Sequence, residues 1–120
     1  MRFETSNIGP VFVVKVLDHR ISADVATQFK QEVISYMERG NHTIVLDLSQ
    51  VNFIDSCGLG ALIASLKAVG SDGQLVICGL QDAVAGIFKL TRMDRVIRLF
   101  ASSHDAAAAL DETSLLAHQA

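Results

Sequence analysis

The residues Thr43-Ile44-Val45-Leu46-Asp47-Leu48 constrain this chain more than any other stretch. The run is mostly apolar, rich in β-branched side chains and too short for a helix. It lacks the polar-apolar alternation of a strand with one wet face, so it predicts a strand covered on both faces and central in its sheet. Such a strand requires covering helices, and the flanking sequence supplies them. Ser22 precedes a pattern in which Val25, Phe29, Val33 and Met37 recur every four residues, with Gln28, Lys30, Gln31, Glu32 and Glu38 off that face. Gly40-Asn41 stops the pattern, which predicts an amphipathic helix over residues 23–39.

Downstream, Leu59, Leu62, Ile63, Leu66 and Val69 fall at helical offsets and predict a second, more apolar helix that ends near Gly70-Ser71-Asp72-Gly73. Gln74 to Cys78 reads as a strand, and Gln81 to Met93 as a helix built on Val84, Ile87, Phe88 and Thr91. Val96 to Leu99 reads as a short strand, and an Ala-rich stretch from Ser102 as a closing helix. At the other end, residues 2–6 and 11–17 read as two strands joined by the turn formers of Asn7-Ile8-Gly9-Pro10. The segment Asp111 to Ala120 loses the helical period and reads as a last turn or a frayed end. Strands alternating with helices predict one α/β domain over residues 1–120, with a mixed, mainly parallel β-sheet, an N-terminal hairpin and about four α-helices.

Composition narrows the function classes. Half of the 120 residues are apolar, enough for one two-layer core without metals or crosslinks. The net charge of -3 lacks the basic excess that binding a nucleic-acid backbone requires. Arg92, Asp94, Arg95 and Arg98 make a small charged group, read as a solvated face or the rim of a partner surface. No apolar run approaches the ~20 residues of a membrane span, and Met1-Arg2-Phe3-Glu4-Thr5 does not open an export signal, so the expected location is the cytoplasm. Cys57 and Cys78 are then expected as reduced thiols. His19, His42, His104 and His118 are scattered, without metal-ligand spacing, and no phosphate-binding loop or nucleophile elbow occurs. A non-enzymatic protein without cofactor or metal is expected.

The stretch Val51-Asn52-Phe53-Ile54-Asp55-Ser56-Cys57-Gly58-Leu59-Gly60 carries the chemistry, because it sets small and hydroxyl residues where a loop enters a helix. The first turn of a helix leaves backbone N–H groups unpaired and partly positive, so Asp55 or Ser56 can cap it. A helix start also tolerates a phosphate dianion, which makes Ser56 a candidate phosphate acceptor. Gly58 and Gly60, each costing about 1 kcal/mol against Ala in a helix, suggest backbone left open to a docking partner. Cys57 at the same turn admits a different reading, a redox sensor or nucleophile.

Phe53-Ile54-Asp55-Ser56-Cys57-Gly58-Leu59-Gly60 resembles the Asp-Ser-Ser-Gly-Leu-Gly signature of bacterial anti-sigma-factor antagonists of the STAS domain family. Its place after the central strand agrees, as does the helix with Gly86-Ile87-Phe88-Lys89-Leu90. The resemblance implies a STAS-type fold, with Ser56 phosphorylated by a partner that is both anti-sigma factor and serine protein kinase. It implies Asp55, Ser56, Cys57, Gly58, Leu59 and Gly60 as the partner-binding corner, and a PP2C-like phosphatase that restores the unmodified form. Cys57 departs from the usual second Ser, and Val16 to Asp24 departs from a Gly-x-Leu-Asp element common among relatives. A STAS subunit of another assembly, such as a signalling scaffold or lipid-transport complex, is the alternative within binding modules.

Overall fold

The structure, a computed structural model, describes residues 1–110; the segment Asp111 to Ala120 lies outside the described residues. Strands β1 (Phe3–Ile8), β2 (Val11–Val16), β4 (Thr43–Asp47), β6 (Gln74–Cys78) and β7 (Leu99–Phe100) form one sheet in the order β1-β2-β4-β6-β7. Its first pair is antiparallel and the others are parallel. The stretch Thr43 to Leu48 therefore lies at the centre, as its continuous apolar character predicts. Helices α1 (Ala26–Glu38), α2 (Ser56–Ala68) and α3 (Asp82–Leu90) connect the strands, and α4 occupies residues 103–110.

Strand alternation sorts the buried side chains into two cores. Val14, Val16, Ile44, Leu46, Leu75 and Ile77 face α1, α2 and α3, joined by Phe29, Val33, Leu62, Val84 and Phe88. Val11, Val13, Val45, Val76 and Cys78 face the other way, against Ala106, Ala107 and Leu110 of α4. Residues 44, 45 and 46 all lie fully buried because adjacent side chains serve opposite cores. Each such aliphatic side chain contributes about 1.5–3 kcal/mol by leaving water.

Several local expectations are corrected. The hairpin turn is only Gly9-Pro10, with Gly9 at φ +58°, and Ile8 pairs with Val11, so Asn7 and Ile8 belong to β1. Helix α1 begins at Ala26, because residues 23–25 form a turn in which the Val25 and Ala26 N–H groups both donate to the Ser22 carbonyl at 2.9 Å. Its buried side is Ala26, Phe29, Val33 and Tyr36. In α2 the buried residues are Gly58, Ala61, Leu62 and Ser65, while Leu59, Ile63, Leu66 and Val69 are only partly buried. Leu62 is the one large side chain in that buried set, whose other members are small.

Helix α3 ends at Leu90, short of Met93, because Arg92 turns left-handed at φ 61° and a 3-10 turn, Met93–Arg95, follows. The last strand is accordingly Leu99–Phe100, with Val96 exposed and Ile97 buried. Ser102 caps α4, its Oγ accepting the Asp105 N–H at 3.1 Å. Strands β3 (Arg20–Ile21) and β5 (Phe53–Ile54), where the sequence reads only as loop, pair in parallel as a separate ribbon.

Candidate functional site

The β3-β5 ribbon builds the corner at which α2 begins. After β4 the chain anchors on buried Val51 and then fastens to the segment ahead of α1. The Asn52 and Phe53 N–H groups donate to the His19 carbonyl at 2.8 and 3.3 Å, and the Asp55 N–H donates to the Ile21 carbonyl at 3.3 Å. Asp55 is thus delivered to the helix start with extended backbone, φ -103° and ψ -175°.

Of the two residues expected to cap α2, Asp55 does so. Its Oδ1 accepts the Gly58 N–H at 2.9 Å, and its Oδ2 accepts the Ala23 N–H at 2.9 Å. One carboxylate therefore closes the first turn of α2 and ties it to the approach of α1. The Gly58 N–H, above all, holds this carboxyl below the usual carboxylate range; partial desolvation opposes it, and the Ala23 and Cys57 N–H groups and the Arg20 charge add to it.

With capping assigned to Asp55, the Ser56 hydroxyl is left free. It is exposed and hydrogen-bonded to no described residue. Cys57 and Gly60 are also exposed, and a Cβ at Gly60 would meet nothing within 4 Å. Gly58 corrects the expectation that both glycines leave backbone open. It is buried, and a Cβ there would strike the Ile21 carbonyl oxygen and stand 2.7 Å from Ile54 Cγ1. Leu59 leans inward against the main core. The six residues named from the sequence thus form one corner, with Ser56, Cys57 and Gly60 outward, Gly58 and Leu59 inward, and Asp55 spanning the two.

Two further residues belong to this corner. The Arg20 guanidinium carbon lies 4.2 Å from the Phe53 ring centroid, and both side chains are exposed. Their partnership comes from the β3-β5 register, which no sequence period reveals. A groove of about 250 Å³ runs between α1 and α2, lined by Ala23, Thr27, Lys30, Cys57, Gly60 and Ala64 among others. Beside it, a hollow of about 300 Å³ is lined by Asp18, His19, Arg20, Ser22, Asp24 and Val25.

Both cysteines are free thiols; burial, with Asp47 adding, pushes Cys78 up to about 12. Among the described residues no group of three or more His, Cys, Asp or Glu is placed to hold a metal ion, and no helix is long and apolar enough to cross a membrane.

A mainly parallel sheet, helices on both faces and an exposed Ser56 hydroxyl at an Asp55-capped helix start define a small α/β domain. Residues 3–106 match the sequence model of the STAS domain, and the chain belongs to the STAS domain family. It is similar to BtrV of Bordetella bronchiseptica, named provisionally as an anti-sigma factor antagonist, at 28% identity over 104 residues that cover 86% of this chain and 89% of that one. Among solved structures, an anti-sigma factor antagonist from Mycobacterium paratuberculosis superposes with a TM-score of 0.81 at 25% identity, over 90% of this chain and 92% of that one. The Bacillus cell fate determinant SpoIIAA, an anti-sigma factor antagonist solved in unphosphorylated and phosphorylated forms, shares the fold. Its TM-scores are 0.65 and 0.66 at 14% and 13% identity, over 94% and 91% of this chain and 98% and 99% of those chains.

Proposed function

We propose that this protein is an anti-sigma-factor antagonist whose binding is switched off by phosphorylation of Ser56. The observation that carries the reading is the division of labour at α2. Asp55 holds the cap, so Ser56 Oγ is exposed and unbonded and can be modified without loss of a structural hydrogen bond. The names of the relatives support the class, and a phosphorylated form of a protein with this fold supports the chemistry.

In this reading the unmodified corner from Asp55 to Gly60 docks on a cytoplasmic anti-sigma factor of the serine-kinase type, and the sigma factor is released. The domain is a ligand for that kinase, not an enzyme. Transfer of the ATP γ-phosphoryl group to Ser56 Oγ, with loss of the hydroxyl proton, adds about -1.5 to -2 charges. Within a desolvated interface an unpaired dianion costs several kcal/mol, and each 1.4 kcal/mol weakens binding about tenfold. The helix N-terminus accommodates the same charge, so the fold survives while the complex does not. A PP2C-like phosphatase restores the binding form.

The test incubates the protein with its cognate kinase and ATP and locates phosphate by mass spectrometry. Phosphate on Ser56, binding weakened at least about tenfold in Ser56→Asp and persistent binding by Ser56→Ala are the expected results. Phosphate at another residue, or unchanged binding by Ser56→Asp, rejects the reading.

A further inference from the structure

A second surface lies at the opposite pole of the domain. Helices α2 and α3 each leave the carboxyl end of a strand and return to the amino end of a parallel neighbour, so their C-termini lie at the end of the sheet away from Ser56. Where α3 ends, Leu90 is 86% exposed and Val96 is 60% exposed. They are the most exposed of the large apolar side chains among the described residues. Lys89, Arg92 and Arg95, all exposed, flank them along the chain, with Asp94 as the single acid between residues 89 and 98, while the Arg98 guanidinium carbon lies 5.2 Å from the Phe100 ring centroid. Leu90 lies off the α3 face that buries Val84 and Phe88, and the left-handed turn at Arg92 leads through the Met93–Arg95 turn to Val96.

We infer that this patch docks an acidic protein segment carrying apolar anchor residues. Charge complementarity selects the occupant. Three of the chain's ten basic residues, Lys89, Arg92 and Arg95, fall within seven positions of a protein whose net charge is -3. Two of the three are Arg, whose planar forks pair carboxylates in bidentate fashion. Leu90 and Val96 supply apolar area that leaves water only when a partner covers it. Two such side chains are too little to enter a bilayer. Docking here does not require the Ser56 corner, which the phosphate switch governs.

The experiment titrates the isotope-labelled full chain with a fluorescein-labelled peptide of repeated Glu-Glu-Leu, with a Lys-Lys-Leu peptide and with phosphatidylglycerol vesicles as comparison arms. The acidic peptide is expected to bind more weakly as salt rises and to shift the backbone amide signals of residues 89–98 while those of Asp55 to Gly60 stay in place. Affinity should fall at least about tenfold in Arg92→Glu/Arg95→Glu and in Leu90→Ser/Val96→Ser, and stay unchanged in Ser56→Asp. These are surface substitutions, and an undisturbed amide spectrum confirms the fold of each variant. Absence of binding, shifts centred on Asp55 to Gly60, equal binding of the Lys peptide, full affinity in both double variants, or broadening of residues 89–98 by vesicles alone would overturn the inference.

Discussion

Two glycines about half a helical turn apart act in opposite ways. At Gly58 the backbone of α2 approaches the Ile21 carbonyl so closely that any Cβ displaces the helix start from the β3-β5 ribbon. Gly58→Ala should therefore lose about 1–3 kcal/mol in urea denaturation. Gly60 faces open space within the helix, so Gly60→Ala should gain about 0.5–1 kcal/mol in the same assay. The sequence offers the pair as equals, because what separates them is a neighbour 37 residues upstream of Gly58, at Ile21, in ribbon pairing. Asp55 makes a pH prediction of defined sign. Its folded-state pKa lies below its unfolded value, so its stabilisation is present above the ordinary carboxylate range and is lost as pH falls through the folded value. The stability difference between wild type and Asp55→Ala should be constant near neutral pH and shrink below about pH 4. A difference that grew on acidification would contradict the hydrogen-bond assignment.

Elements with a strong hydrophobic pattern are legible. The central strand and the strand Gln74–Cys78 follow from short continuous apolar runs, and the presence of α1, α2 and α3 from helical side-chain spacing. The two-residue strands β3 and β5 have no period to read; they exist because loop backbone pairs with loop backbone. The end of α3 is not legible because a left-handed Arg92 gives no compositional warning, unlike the glycines that stop α1 and α2. That conformation costs a residue with a Cβ roughly 1 kcal/mol, so Arg92→Gly should raise the thermal midpoint and Arg92→Val should lower it. The Ser56 corner was legible from its motif, but the bridge from Asp55 to Ala23 was not, since it joins segments 32 residues apart.

Over the whole molecule, burial is unevenly divided between the faces of the sheet. Three helices cover one face, while within the described residues α4 covers the other with Ala106, Ala107 and Leu110. Leu46→Ala, in the larger core, should cost about 2–5 kcal/mol and shift the single unfolding transition as a unit. Ala107→Asp should lift α4 away instead. Amide exchange would then quicken in residues 103–110, while the amides of α2 keep their protection. Helix α2, 13 residues and so about 20 Å long, separates the two ends of the domain. Because that span is rigid, a molecule held at both poles that loses one grip stays tethered by the other. The freed pole then rebinds from a high effective concentration, and dwell time rather than intrinsic affinity sets how long a signal lasts.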